Sequence, residues 1–267
     1  MNKHVRIGTA ICALAFAVFS LAFTTTPAIA SNGAGTIKDA PEAAQTATAL
    51  EAQAETSFPD IQGIAHEGDV LWLASMGITK GFPDGTFRPN SPIARADMAA
   101  FLFRLAERWG LVKSDWEPQN TTVFEDVTER TDHAREIWWL ASTGISKGWD
   151  LGGGRKQFRP YGTVARQDMA AFLFRLAEAE GLGEASSSWT ASSASRTMFC
   201  DVDGSNPYNH HVEVWWLAQT GISVGWQVGN QREFRGLSPI ARQDMAAFLH
   251  RLNGLQKSDT ETPEMPI

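Results

Sequence analysis

Cysteine is scarce in this chain and cannot crosslink a fold. Among 267 residues there are two cysteines, and Cys12 lies in an apolar N-terminal segment that resembles an export signal. If that segment is removed on export, Cys200 is the only thiol left and no internal disulfide can form. Tyrosine is scarce as well, with two residues, but ten Trp and fifteen Phe supply large apolar side chains. Packing of these side chains therefore has to stabilise the fold.

A surplus of basic charge is also lacking. The formal net charge is −7, and loss of Lys3 and Arg6 with the N-terminal segment makes it −9. Proteins that bind nucleic acids, or that bind anionic polymers through bulk charge, usually carry a basic patch or stripe. We therefore expect no nucleic-acid partner, and we expect any recognition of an anion to be local.

No apolar run is long enough for a permanent membrane span. The run at residues 7–22 is shorter than the roughly 20 apolar residues that a transmembrane helix needs. Lys3 and Arg6 precede it, and the small residues of Ala28-Ile29-Ala30 follow it as a cleavage site. This pattern predicts a signal peptide at residues 1–30 and an exported chain with no membrane span after cleavage.

The chain does contain internal repetition, because the same blocks recur in the same order three times. Each copy opens with an aromatic-x-Asp-aliphatic tetrad, at residues 58–61, 124–127 and 199–202. A Trp-Leu-Ala block followed closely by Gly-Ile comes next, at residues 72–74, 139–141 and 216–218. Phe-Arg then recurs at residues 87–88, 158–159 and 234–235, and Ala-Arg-x-Asp-Met-Ala-Ala-Phe-Leu at residues 94–102, 165–173 and 241–249. Recurrence of the same blocks in the same order indicates a repeat protein.

These blocks divide the chain into three repeats joined by polar connectors. We predict repeat 1 at residues 58–110, repeat 2 at residues 124–180 and repeat 3 at residues 199–255. The segment at residues 31–57 is rich in Ala, Thr and Glu and has few residues that could build a core, so we predict a flexible leader. Residues 256–267 are predicted to form a tail.

Within each repeat the pattern predicts a helix, an irregular loop and a second helix. The first helix is expected to end where a glycine adopts the left-handed C-cap conformation, at Gly77, Gly144 and Gly221. The second is expected to begin near Ser91-Pro92 or Ser238-Pro239, where a capping hydroxyl precedes a proline. One helix pair cannot bury both of its apolar stripes, but three pairs together can. The predicted fold is therefore mainly α, with three helix-loop-helix repeats.

The repeated blocks resemble the S-layer homology (SLH) domain family over about residues 58–255. That resemblance implies one pseudo-threefold helical module, without a cofactor, that binds wall-linked secondary polysaccharides in grooves between neighbouring repeats. Such polymers often carry an acidic pyruvate ketal. The family's Thr-Arg-Ala-Glu tetrapeptide is replaced here by Ala-Arg-Ala-Asp at residues 94–97 and by Ala-Arg-Gln-Asp at residues 165–168 and 241–244. The capping arrangement must therefore differ from that of the family.

An arginine in the first turn of each second helix is the leading candidate for ligand contact. The helix dipole disfavours a cation at that end unless a negative group is nearby. A guanidinium beside free helix N–H groups suits a carboxylate or phosphate, because it can donate two parallel hydrogen bonds. The alternative is an ion pair with the aspartate two residues on, or with the opening aspartate of a neighbouring repeat. The predicted ligand-binding pairs are Arg95 with Asp97, Arg166 with Asp168, and Arg242 with Asp244.

The glycine-bounded turn adds further candidates. Lys80 and Lys147 occupy equivalent positions where repeat 3 has Val224, so we expect unequal grooves. A solvated surface lysine is the commoner role for such a residue. An aromatic residue follows each turn, and its ring could stack on a sugar or belong to the core. These aromatic candidates are Phe82, Trp149 and Trp226.

A histidine recurs at the start of each first helix, followed three residues later by an acid. The histidines are His66, His133 and His210, and the acids are Asp69, Glu136 and Glu213. This spacing favours a pair at the helix start over a metal site, because no zinc-binding pattern accompanies it. We predict no metal.

The recurring acids also argue against catalysis, which usually requires unique, asymmetric groups. We therefore predict that the chain is not an enzyme. The predicted function is non-covalent anchoring through a wall-linked, anionic polysaccharide, with the protein secreted and retained at the bacterial cell surface. The alternatives are a cell-wall hydrolase, a fragment of one, and a surface lattice or assembly protein.

Overall fold

The structure is a computed structural model that describes residues 58–204 and 210–260. The predicted signal peptide and leader lie outside the described residues, as do residues 261–267 of the predicted tail. The described part is mainly helical, which confirms the predicted fold class. In chain order its elements are α1 (Glu67–Ser75), α2 (Arg95–Arg108), α3 (Ala134–Ser142), β1 (Trp149–Gly152), β2 (Arg155–Gln157), α4 (Arg166–Glu180), a 3-10 turn (Leu182–Glu184), α5 (Ser193–Thr197), α6 (His211–Gln219), β3 (Trp226–Val228), β4 (Gln231–Glu233) and α7 (Arg242–Thr260).

Each repeat supplies a short helix and then a long one. The short helices α1, α3 and α6 have nine residues each and carry the Trp-Leu-Ala block. The glycine that follows each of them has a positive φ, 68° at Gly77, 76° at Gly144 and 72° at Gly221. The predicted left-handed glycines are therefore confirmed. The long helices α2, α4 and α7 carry the Ala-Arg-x-Asp block.

The short helix of each repeat packs on the long helix of the preceding repeat. Thus α3 packs on α2, α6 packs on α4, and α1 packs on α7, which closes the three repeats into a ring. The segments that lead into the long helices also pair with one another through isolated β-bridges, which join Pro92 to Ala241, Ala94 to Thr163 and Ala165 to Pro239. A single hydrophobic cluster of buried side chains runs through all three repeats.

Two of the three helix interfaces are closed by the same aromatic pair. Phe103 meets Trp139, and Phe174 meets Trp216, with ring centroids 5.4 Å apart and rings at 90° in both cases. In the third interface His250 takes the place of the phenylalanine and stacks on Trp72 at 4.5 Å. The ring is therefore closed by a polar seam between repeats 3 and 1.

The irregular loops predicted in repeats 2 and 3 are β-hairpins. Strands β1 and β2 pair antiparallel, and so do β3 and β4. Glycines at the tip of the first hairpin, including Gly153 with a φ of 64°, permit the reversal. Each hairpin begins at an aromatic residue that was predicted to bind a ligand, because Trp149 and Trp226 are the first residues of β1 and β3.

The predicted serine caps of the long helices are wrong. These helices begin at the arginines, and Ala94 and Ala165 are the N-cap residues of α2 and α4, without a side-chain cap. The first two N–H groups of each long helix donate instead to carbonyls of another repeat. The pairs are Arg95 N to Gly162 O (2.9 Å), Ala96 N to Pro160 O (2.8 Å), Arg166 N to Ser238 O (3.0 Å), Gln167 N to Gly236 O (2.9 Å), Arg242 N to Ser91 O (3.0 Å) and Gln243 N to Pro89 O (3.0 Å). Amides used in this way are not free to bind a ligand, so that part of the site prediction is also wrong.

The opening aspartate of each repeat fixes the Phe-Arg segment. In repeat 2, Asp126 accepts hydrogen bonds from Phe158 N at 2.8 Å and Arg159 N at 2.7 Å. Arg159 has a φ of 59°, a left-handed conformation that costs about 1–2 kcal/mol for a residue with a Cβ. The equivalent carboxylates of Asp60 and Asp201 make the same pairs of bonds. These bonds explain why the aromatic-x-Asp-aliphatic tetrad and the Phe-Arg block recur together.

We predict that Asp126→Ala lowers the free energy of unfolding by about 2 kcal/mol, because two backbone N–H groups lose a charged acceptor. Adding Arg159→Gly should restore about 1 kcal/mol, since glycine adopts the same φ without strain. Urea denaturation of residues 31–267 measures both changes. The matched control is Glu125→Ala, an exposed neighbour that should change stability by less than about 0.5 kcal/mol. Equal stability of Asp126→Ala and the parent would contradict this role.

Candidate ligand-binding grooves

Three grooves lie at equivalent positions around the ring. Each is named by the residue that its glycine-bounded turn carries at the position of Lys80, Lys147 or Val224. The Lys147 groove is lined by Arg95, Ser146, Lys147, Trp149, Asp168 and Arg175. The Lys80 groove is lined by Arg242, Thr79, Lys80, Phe82, Asp97 and Arg104. The Val224 groove is lined by Arg166, Ser223, Val224, Trp226, Asp244 and Arg251. The structure thus brings all eleven predicted site residues to these grooves, together with Val224.

Each groove draws on all three repeats. In the Lys147 groove, Arg95 comes from repeat 1, the turn and the long helix come from repeat 2, and His210 comes from repeat 3. His133 of repeat 2 lines the Lys80 groove, and His66 of repeat 1 lines the Val224 groove. No groove can therefore form before the ring is closed.

The arginine at the start of each long helix is buried at the junction of two repeats. Only 3% of Arg95, 3% of Arg166 and 4% of Arg242 is exposed. In each case Nε donates to a phenylalanine carbonyl of the next repeat, with repeat 3 followed by repeat 1. The acceptors are Phe158 O for Arg95 (2.8 Å), Phe234 O for Arg166 (3.0 Å) and Phe87 O for Arg242 (2.8 Å).

The same arginines form ion pairs with aspartates of another repeat, not with the aspartate two residues on. Arg166 Nη1 lies 2.9 Å from Asp244, and Arg242 Nη1 lies 2.9 Å from Asp97. The pair between Arg95 and Asp168 is longer, at 3.7 Å. Burial lowers the pKa of Arg95 and of Arg166 to about 10, although the aspartates raise it. These guanidinium groups therefore keep their charge at neutral pH.

Two guanidinium groups contact each groove aromatic. Trp149 has Arg95 at 4.1 Å and Arg159 at 4.5 Å from its ring centroid. Equivalent pairs of arginines contact the rings of Trp226 and Phe82. All three rings are half-buried. The structure thus shows these rings in contact with arginines. That they stack on a sugar stays a prediction.

A second arginine, which was not among the residues predicted from the sequence, lies in each groove. Arg175 is half-buried and donates from Nη1 to Ile145 O at 3.1 Å, which ties the long helix to the Gly-Ile turn. Arg104 and Arg251 make the same bond to Ile78 O and Ile222 O, at 2.8 Å each. An Arg-Leu pair recurs just after the Ala-Arg-x-Asp-Met-Ala-Ala-Phe-Leu block, at residues 104–105, 175–176 and 251–252, and could have revealed these residues.

Buried hydroxyl groups were also missed. Ser146 is 4% exposed and Ser223 is 1% exposed. Neither Oγ has a hydrogen-bond partner in the described part of the chain. The equivalent Thr79 Oγ1 accepts a hydrogen bond from Gly81 N at 3.2 Å. Burial of a hydroxyl without a hydrogen bond costs about 1–3 kcal/mol.

The three grooves are unequal, as their turn residues predicted. The volume is about 340 Å³ for the Lys147 groove, about 210 Å³ for the Lys80 groove and about 90 Å³ for the Val224 groove. Only the first falls within the range of about 300–1,000 Å³ that is typical of ligand sites. Lys80 and Lys147 are exposed, and Val224 is 45% exposed.

The histidines pair with the acids three residues on, as the spacing predicted. His66 Nδ1 lies 3.0 Å from Asp69, His210 Nδ1 lies 3.3 Å from Glu213, and His133 Nδ1 lies 3.5 Å from Glu136. Each histidine is the N-cap residue of its helix but makes no side-chain cap bond. Among the described residues, no group of three or more acidic, histidine or cysteine side chains is arranged to hold a metal ion.

Residues 57–99 match the S-layer homology domain family. This confirms the resemblance for repeat 1. That repeats 2 and 3 are domains of the same family stays a prediction. A secreted, surface-attached location agrees with this domain. None of the described helices is both long and apolar enough to span a bilayer.

Three curated proteins are similar to parts of the chain. A cellulosome-anchoring protein of Acetivibrio thermocellus is 26% identical over 41% of this chain and 23% of its own length. S-layer protein EA1 of Bacillus anthracis is 30% identical over 46% of this chain and 13% of its own length. A surface-layer 125 kDa protein of Lysinibacillus sphaericus is 25% identical over 73% of this chain and 14% of its own length. The chain therefore spans less than a quarter of the length of these relatives.

We predict that Arg166→Met lowers the free energy of unfolding by about 3 kcal/mol, because Asp244 and Phe234 O both lose a buried charged donor. Arg166→Lys should also destabilise, since one ammonium group cannot reproduce the fork of a guanidinium. Urea denaturation measures both. The exposed Arg155→Met in the first hairpin serves as the control and should cost less than about 0.5 kcal/mol. Arg166→Met with parental stability would show that this ion pair does not hold the ring.

Proposed function

We propose that the grooves bind an anionic, wall-linked polysaccharide and thereby retain the exported protein on the cell surface. The observation that carries this proposal is the local concentration of cations in a chain with a net charge of −7. Arg95, Lys147 and Arg175 line the Lys147 groove together with the carboxylate of Asp168, while the carboxylates of Glu213 and Glu178 lie near Arg175. A cleft lined by one sign of charge focuses the field and attracts a ligand of opposite sign.

The cations of the Lys147 groove suit two separate tasks. Arg95 is a fixed positive charge that acts mainly through the field, because its Nε is already bonded and its side chain is buried. Lys147 is exposed, and Arg175 uses one Nη1 bond on Ile145 O. A guanidinium has five N–H donors, so Arg175 keeps donors for a carboxylate or phosphate oxygen. Ser146 Oγ adds a buried hydroxyl for a further ligand oxygen.

The printed names of the relatives support the anchoring role. One is called cellulosome-anchoring and two are called surface-layer proteins. These are names of structural surface proteins, which agrees with a non-enzymatic role. We infer that affinity falls in the order Lys147 groove, Lys80 groove, Val224 groove, following volume and the loss of the lysine. Several weak grooves on one module would reinforce one another on a polymer.

We predict that residues 31–267 co-sediment with purified sacculi and that chemical removal of the secondary polymer abolishes this binding. Lys147→Ser should weaken binding severalfold by removing one exposed cation from the largest of the three grooves. Lys113→Ser is the matched control, because Lys113 is an exposed lysine of the first connector and lines none of the grooves. Equal co-sedimentation with intact and stripped sacculi would rule the proposal out.

A second test uses the two buried serines. Ser146→Ala should weaken binding to sacculi by about fivefold, the value of one hydrogen bond to the ligand. Ser223→Ala should leave binding unchanged, because the Val224 groove is too small. Both variants remove a buried, unpaired hydroxyl, so neither should lower the thermal midpoint. Weaker binding by a fully stable Ser146→Ala protein therefore cannot come from misfolding. Equal binding by the two variants would show that Ser146 does not contact the ligand.

A further inference from the structure

We propose that His210, and its equivalent His133, bind the anion in the protonated form, so that attachment to the wall strengthens as the pH falls from about 7.5 to about 5.5. This inference rests on the proposed function and names two ligand contacts and a regulation for the same grooves. Histidine is the one side chain whose charge ordinarily changes between pH 5 and 8. The grooves would therefore gain positive charge in acid.

The geometry of His210 fits this role. Its side chain is 24% exposed and lines the Lys147 groove. Nδ1 lies 3.3 Å from Glu213 Oε1, whereas Nε2 has no hydrogen-bond partner among the described residues. A protonated imidazole donates from both nitrogens. Glu213 would hold one donor in place, and the other would remain available for a ligand oxygen.

Glu213 remains a counter-charge for His210 in weak acid. Burial raises the pKa of Glu213, but hydrogen bonds from His210 and from the backbone, with the charges of His210 and Arg175, lower it overall. The other charged groups that line this groove are Lys147, Arg95, Arg175 and Asp168. Protonation of His210 thus adds a fourth cation opposite the carboxylates of Glu213 and Asp168.

The Lys80 groove repeats the arrangement with weaker contacts. His133 is 29% exposed, with Nδ1 3.5 Å from Glu136 and Nε2 3.9 Å from Asp97. It faces the cations Lys80, Arg104 and Arg242 across the groove. Burial raises the pKa of Glu136, but the hydrogen bond from His133 and nearby charge lower it overall. A protonated His133 would add a cation to this groove as well.

The Val224 groove should contribute less to the pH effect. His66 lies 3.0 Å from Asp69 and 3.8 Å from Asp244, and no lysine is present. The cations Arg166 and Arg251 complete its charged lining. Asp69 also lies 2.7 Å from His250 in the seam between repeats 3 and 1. Protonation of His66 would mostly neutralise these two carboxylates.

The test measures co-sedimentation of residues 31–267 with polymer-bearing sacculi at pH 5.5, 6.5 and 7.5 and constant ionic strength. Affinity should rise on the order of tenfold from pH 7.5 to 5.5, the value of one charge-assisted hydrogen bond. His210→Asn should remove most of that rise, and the double variant with His133→Asn should remove nearly all of it. His211→Asn is the matched control, because His211 contacts the ring of Trp215 at 4.8 Å and lines none of the three grooves.

The seam requires its own control, since acid could also change the fold through His250. The variant His250→Phe introduces the residue that repeats 1 and 2 carry at this position, and it should keep the full pH dependence of binding. Polymer-dependent binding of equal affinity at all three pH values would overturn the histidine role and leave the proposed function standing. A rise that persists in the double variant, or that disappears in His250→Phe, would also overturn it. Failure to bind intact sacculi at every pH would overturn both.

Discussion

A guanidinium buried between two repeats is the interaction on which the rest of the structure depends. Arg166 is 3% exposed, donates to Phe234 O, and lies 2.9 Å from Asp244. A buried cation is tolerated only when a negative group lies close to it and its N–H donors have hydrogen-bond acceptors. All of the matching groups belong to the next repeat, so the helix of one repeat can start stably only against another. The same residue therefore sets the register of the ring and the charge of a groove.

The backbone repeats this dependence at the same junctions. The first amides of each long helix donate to carbonyls of another repeat, as Arg95 N does to Gly162 O. The receiving segment is itself held by an opening aspartate, because Asp126 fixes Phe158 and the left-handed Arg159 just before it. An isolated repeat would leave these amides, the carbonyl and the guanidinium unpaired. We therefore expect the chain to fold and to form the three grooves in one cooperative event.

The sequence was sufficient for features that depend on local chemistry. A left-handed glycine after each short helix, the repeated Arg-Asp pairs and the odd Val224 could all be predicted from residue type and spacing. Contacts between repeats could not be predicted from the sequence. The Arg-x-Asp spacing is the same in all three repeats, so it does not show whether Asp168 or Asp244 is the partner of Arg166. The serine caps failed for the same reason, since Pro160 O and Gly162 O replaced a local hydroxyl. Ser146 could not be singled out because its burial depends on contacts between elements that are distant in the sequence.

The arginine at the start of each long helix has two roles that compete. An aspartate close to it stabilises the junction between repeats but weakens the positive field in the groove, and the three grooves differ in this balance. Where Arg166 and Arg242 lie 2.9 Å from their aspartates, the grooves measure about 90 and 210 Å³. Where Arg95 lies 3.7 Å from Asp168, the groove measures about 340 Å³ and an exposed lysine borders it. A carboxylate held farther away cancels less of the arginine field. The loosest junction therefore borders the groove to which we assign the highest affinity for an anion, whereas the tight junctions hold the ring closed.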